Sequence, residues 1–185
     1  MIKKFFLFLF EIIKISFIAA AIVIPIRYFL FQPFFVRGES MAPTFENGDY
    51  LIVDEISYRF REPKRGEVVV FKYPKDTSQR FIKRIIGLPG ETVEIKNGKV
   101  EIYKNNKKIV LDESSYLNSD IFTQGDLKVF LKKDEYFVMG DNRPFSYDSR
   151  RFGVVPKKDI IGRVILRFSP YSLPYLSIFN KVPNY

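Results

Sequence analysis

Residues 37–45 read RGESMAPTF and set the small hydroxyl of Ser40 among turn-forming and apolar neighbours. A serine in such a setting is ordinarily a turn or capping residue bonded to nearby backbone. It becomes a nucleophile only when a neighbouring base takes its proton. The chain contains no histidine, so a Ser-His-Asp arrangement is excluded. A lysine, a carboxylate or the chain amine remains. A lysine, with a reference pKa of about 10.4, serves only if desolvation keeps its amine substantially neutral.

RFIKRIIGLPGE, residues 80–91, supplies a lysine of that kind. Strand alternation over 81–87 puts Phe81, Lys83 and Ile85 on one face and Ile82, Arg84 and Ile86 on the other. Lys83 is then flanked by two bulky apolar side chains, whereas the Arg84 guanidinium stays protonated and is no base. The same pattern also describes an edge lysine that blunts strand pairing. A third stretch, MGDNRPFSYDSRRFGVVP (139–156), crowds turn-forming residues into a loop after a strand. Its Asp141, Asp148, Arg143 and Arg150 are able to form a charge-assisted network, which either braces the loop or holds a site in register.

The elements that must position these residues follow from hydropathy. Beyond Pro33 the apolar residues fall into short β-branched and aromatic runs divided by Gly, Pro and Asn, which predicts a mainly β domain over 33–185. DYLIVDEI, GEVVVFKY, RFIKRIIG, ETVEIKNGKVEIYKN, KVFLKKDEYFVMG and DIIGRVILRF read as strands. Asn97-Gly98, between period-two runs, predicts a tight hairpin, and about 97–134 reads as a polar, hairpin-rich insert. The tail YSLPYLSIFNKVPNY is too short and proline-broken to span a bilayer; it either lies in the interfacial zone or packs along the domain.

Residues 1–32 are different in kind. An apolar run from Phe5 to Phe31, interrupted by Glu11 and Lys14, reaches the roughly 20 residues that cross a bilayer. A cleaved signal peptide is the competing account, with Ala19-Ala20-Ala21 as its cleavage site, but apolar residues continue well past it, which favours a retained anchor. Lys3, Lys4 and Lys14 against Arg27 and Arg37 put the N-terminus in the cytoplasm and the β domain outside. With 30 Lys and Arg against 21 Asp and Glu, the net charge is +9. The basic residues are scattered rather than blocked, which points to a membrane surface rather than nucleic acid. With no cysteine and no histidine, disulfides, thiolate nucleophiles and Cys/His zinc sites are excluded.

Taken together and in this order, the anchor, GESMAPTF, RFIKRIIGLPGE and GDNRPFSYDSRRFG resemble the type I signal peptidase family, the bacterial leader peptidases. The resemblance implies a signal-peptidase-like antiparallel β-sheet catalytic domain behind an N-terminal transmembrane helix, single-pass in the bacterial cytoplasmic membrane. It implies a serine endopeptidase that removes signal peptides from exported preproteins, with membrane lipids as neighbours and no metal or cofactor. On the matching motifs Ser40 is the nucleophile, Lys83 the general base, Ser146 the serine that bonds the lysine amine, and Asp148 and Arg150 a brace, with Asp141 also supporting. Phe34, Val36, Met41, Phe81 and Ile82 match the family's shallow apolar pockets. Gly38 departs from members that carry there a serine whose hydroxyl helps hold the oxyanion, so the Ser40 backbone N–H is one donor and the second is left open. Two other readings of the residues are a repressor-type self-processing Ser-Lys protease and a non-catalytic, membrane-tethered peptide-binding domain. The oligomeric state is not fixed by the sequence.

Overall fold

The computed structural model describes residues 2–29, 31–118, 121–170, 175–179, 183 and 185. Helix α1 (Ile2–Phe29, 28 residues) opens the chain, and the side chains described along it, from Phe5 to Phe17 and Val23, stand exposed. Lys4, Glu11 and Lys14 interrupt the apolar run in its first half. Among the described residues no helix is long and apolar enough to cross a membrane, so the fold does not establish the expected span. Strand β1 (Phe31–Phe35) follows at once, and the boundary expected at residue 32 falls inside it. Pro33 is tolerated there because β1 is an edge strand and needs no second ladder partner.

The remaining strands are β2 (Tyr50–Asp54), β3 (Val68–Tyr73), β4 (Asp76–Gly87), β5 (Thr92–Lys96), β6 (Lys99–Lys104), β7 (Lys107–Val110), β8 (Leu127–Phe130), β9 (Glu135–Met139), β10 (Val155–Pro156), β11 (Ile160–Ser169) and β12 (Tyr175–Ile178). They form two antiparallel sheets. The larger runs β1-β2-β11-β3-β4-β9-β10, with β12 added on β11. The smaller runs β7-β6-β5-β8 and is drawn wholly from Thr92–Phe130. KVFLKKDEYFVMG, read as strand, contributes to both β8 and β9, which lie in different sheets. Helix α2 (Ser149–Phe152) is one short turn after β9.

The expected hairpin joins β5 to β6 with Asn97 at φ 51° and Gly98 at φ 77°, the positive φ values that a two-residue turn matched to strand twist requires. Val93, Ile95, Val100 and Ile102, the alternate residues of those strands, are buried with Ile86, Leu131 and Phe137, so the small sheet packs on the end of β4 and on β9. Val36, Met41, Phe45, Leu51, Val53, Val68 and Val70 make a second cluster beneath the loop that carries Ser40. A third, around Val69, Phe71, Ile85, Tyr136, Val138 and Phe152, includes the partly buried Phe81. In the C-terminal stretch, Phe179 packs on the Phe45 ring at 4.7 Å between centroids, and 171–174, 180–182 and 184 lie outside the described residues.

Candidate active site

Three segments converge. The first is the loop 36–49 between β1 and β2, closed by Val36 N–H donating to the Asp49 carbonyl and Gly48 N–H to the Val36 carbonyl. Buried Phe45 pins it to the core from within, and Arg167 of β11 supports it, donating to the Thr44 carbonyl at 2.8 Å and lying 2.6 Å from the Asp49 carboxylate. The second is β4, which pairs with β3 along most of its length but with β9 only from Arg84 onward. The third is the loop 140–148 after β9. These three bring Ser40, Lys83, Asp141, Ser146 and Asp148 together although they span more than half of the chain.

The Lys83 Nζ donates to Ser40 Oγ at 2.6 Å and to the Ile82 carbonyl at 2.7 Å. The lysine is 4 % exposed and its amine lies 5.6 Å from the centre of the Phe81 ring. Burial removes the hydration that stabilises the ammonium and brings the pKa down to about 8, while the Asp148 and Asp141 carboxylates limit the fall. At that value an appreciable fraction of the amine is neutral near physiological pH. The expected edge lysine facing solvent is therefore not what β4 presents.

The backbone of Ser40 is fixed from the third segment. Asn142 N–H donates to the Ser40 carbonyl at 3.1 Å, and the Asn142 side-chain amide to the Glu39 carbonyl at 3.0 Å. Gly140 must lack a side chain, because a Cβ there would stand 2.2 Å from Ser146 Oγ and 2.3 Å from the Ser40 carbonyl oxygen. Asp148 accepts from Gly140 N–H at 3.1 Å, caps α2, and is held by Arg150 through Nε at 2.9 Å and a terminal nitrogen at 2.8 Å. Burial works against its ionisation, but the Arg150 guanidinium, the Ser146 hydroxyl and the Gly140 N–H together outweigh burial and keep the carboxyl below its usual range. Ser146 is 2 % exposed, and its hydroxyl faces the Asp148 carboxylate and helps to hold it ionised; the second contact of the lysine amine is the Ile82 carbonyl, not Ser146.

The network expected within the loop forms in part: Asp148 pairs with Arg150, which also donates to the Arg143 carbonyl, whereas Asp141 and Arg143 find partners farther away. Asp141 pairs with Arg84 (2.8 and 2.6 Å) and accepts from the Thr44 hydroxyl (2.6 Å), while Arg143 pairs with Glu113 of the connection between β7 and β8. Sequence reasoning missed Arg84, Asn142, Glu113 and Thr44 as supports. One signal was present: an arginine between Ile82 and Ile86 on a buried strand requires a carboxylate partner.

A cleft of about 390 Å³ opens beside the pair, with Ser40 and Lys83 among its lining residues. Phe34, Val36, Phe81 and Ile82 line it, joined by Phe145 and Tyr147. Met41 does not line it; at 1 % exposure it is part of the core under the loop, since the turn that presents Ser40 sends the next side chain inward.

The β scaffold and this hydroxyl beside a desolvated amine define the class as a serine-type peptidase. Residues 9–169 match the family model described as signal peptidase, peptidase S26. The probable signal peptidase I-2 of Synechocystis sp. is 41% identical over 165 residues, 86% of this chain and 73% of that one. Signal peptidase I P of Bacillus subtilis subsp. natto is 42% identical over 168 residues, 85% of this chain and 88% of that one. A crystal structure of a signal peptidase I from Enterococcus faecalis V583 aligns with a TM-score of 0.47 and 31% identity, covering 56% of this chain and 97% of that one. The chain belongs to the signal peptidase family, peptidase S26.

Proposed function

We propose that this protein is a membrane-anchored endopeptidase that cleaves signal peptides from exported preproteins, with Ser40 as nucleophile and Lys83 as general base. The observation that carries the proposal is the 2.6 Å contact between the Lys83 amine and Ser40 Oγ in a niche that lowers the lysine pKa to about 8. Neutral Lys83 takes the Ser40 proton as Oγ attacks the scissile carbonyl. The oxyanion of the tetrahedral intermediate is held by the Ser40 N–H. Lys83 then gives the proton to the departing amine, leaving an ester on Ser40. Finally it takes a proton from the water that attacks the ester and returns it to Ser40 Oγ as the acyl C–O bond breaks, which frees the new carboxyl terminus and restores the serine and the neutral amine.

Several features support the substrate class. The cleft has an apolar wall of Phe34, Val36, Phe81 and Ile82, which suits apolar side chains on an extended strand. The relatives carry the name signal peptidase I. For the anchor, the support is α1 itself, 28 residues rich in exposed Phe, Leu and Ile, a surface that water does not favour and an acyl-chain region does. In the proposed orientation its N-terminus is cytoplasmic, the β domain is extracytoplasmic, and the reaction needs no metal or cofactor.

The deciding experiment is cleavage of a preprotein by the detergent-solubilised full chain. Ser40→Ala and Lys83→Met are each expected to lower turnover on the order of 10⁴-fold or more with folding intact. Full activity in either variant overturns the pair.

A further inference from the structure

The turn 140–143, which meets the Ser40 backbone, is held by two arginines, and both are met by one short segment outside the sequence motifs. Arg143, 1 % exposed, donates Nε to the Gly140 carbonyl at 3.0 Å. Its terminal nitrogens go to the Glu113 carboxylate at 2.9 and 2.6 Å and to the Thr123 hydroxyl at 2.7 Å. Arg84, which clamps Asp141, lies with its guanidinium carbon 3.9 Å from the centre of the Tyr116 ring. The Tyr116 hydroxyl donates to Glu113 Oε1 at 2.6 Å and accepts from the Tyr185 hydroxyl at 3.0 Å. Glu113 and Tyr116 are thus bonded to each other, and each takes one of the two arginines.

We propose that Glu113 and Tyr116 are positioning residues for the nucleophile, so that the connection between β7 and β8 sets the geometry of a site it does not touch. The proposal rests on the reading of Ser40 as nucleophile. The physical route is short. Without Glu113 the buried Arg143 guanidinium has lost its counter-charge and must shift toward other acceptors, taking the Gly140 carbonyl with it. Without the Tyr116 ring, Arg84 loses the face that holds it flat against Asp141. Either change moves the turn whose Asn142 N–H holds the Ser40 carbonyl. Of the apolar residues that line the cleft, Phe34, Val36, Phe81 and Ile82 stand outside the loop 140–148 and only Phe145 and Tyr147 follow the turn, so most of the wall that would bind substrate is spared while the reacting atoms lose alignment.

The test measures kcat and KM of the full chain in detergent micelles on a peptide carrying alanine at the first and third positions before the cut. Tyr116→Leu, Tyr116→Phe, Glu113→Gln and Ser40→Ala are compared with wild type, each well below its own Tm. Tyr116→Leu and Glu113→Gln are expected to lower kcat about tenfold or more with KM within about twofold, as a misplacement of an ångström or less would do. Tyr116→Phe, which keeps the ring over Arg84, is expected to restore kcat to within about threefold of wild type. If Glu113→Gln does not fold, Tyr116→Leu decides alone, because it leaves the ion pair of Arg143 and Glu113 in place. A folded Tyr116→Leu with wild-type kcat, or a KM that rises as kcat falls, overturns the proposal. A Ser40→Ala protein that still turns over overturns the nucleophile assignment and this proposal with it; an inactive Ser40→Ala beside a fully active Tyr116→Leu overturns this proposal alone.

Discussion

A lysine held near pKa 8 by burial ties rate and stability to the same proton. If Lys83 is the proposed base, then below that pH its charged amine cannot accept the serine proton, and the cleavage rate should rise through about pH 8 and level off above it. A rate that is flat from mildly acid pH upward would point to a carboxylate base instead. The stability effect has a definite sign. The folded pKa lies below the ordinary 10.5, so the cost of charging the buried amine is fully present below about pH 8 and is relieved as pH rises toward 10.5. Lys83→Met removes that cost at pH 7, and urea unfolding should find the variant more stable by up to about 3 kcal/mol, a gain that shrinks at pH 10. Lys83 was legible in the sequence because its apolar neighbours are adjacent in the chain. Glu113 was not, because its partner Arg143 lies thirty positions away and nothing local distinguishes it from other surface carboxylates.

Among the elements, the loop 140–148 is tightly constrained where Gly140 meets Ser40 and Ser146. Gly140→Ala would drive a methyl against the Ser40 carbonyl and Ser146 Oγ, and backbone cannot move aside as a flexible side chain can. The expected outcome is a loss of activity of about 100-fold with Tm lowered by several degrees, read by peptide cleavage and thermal unfolding. The β5–β6 hairpin was legible because Asn-Gly chemistry and alternation both act within a few residues. β1 and β12 were hidden, since one continues an apolar run and carries a proline while the other sits in a proline-broken tail. Met41 misled for a related reason: the motif gives its neighbour in sequence, whereas the turn decides which side of the loop it faces.

Over the whole molecule, order in the sheet is what the sequence conceals most. β11 pairs with both β2 and β3 across some hundred residues, and only the assembled core selects that arrangement. The β class was readable, the strand order was not. The membrane proposal is tested at this scale too. The full chain is expected to float with lipid vesicles in a density gradient, and Ile18→Arg on α1 to weaken that association, since arginine near the middle of a span costs about 2.5–3.5 kcal/mol for insertion. Flotation unaffected by the arginine would remove α1 from that role.

The closeness of Lys83 to Ser40 also constrains the order of events. Little of the amine meets solvent; Phe81 and the Ile82 carbonyl crowd it, and Ser40 takes the side toward the cleft. In the proposed mechanism the water that hydrolyses the ester comes from the cleft side, where the cut polypeptide would lie. On that reading the mature protein withdraws before hydration begins, and a fragment that lingers would keep the ester dry and open to being rejoined.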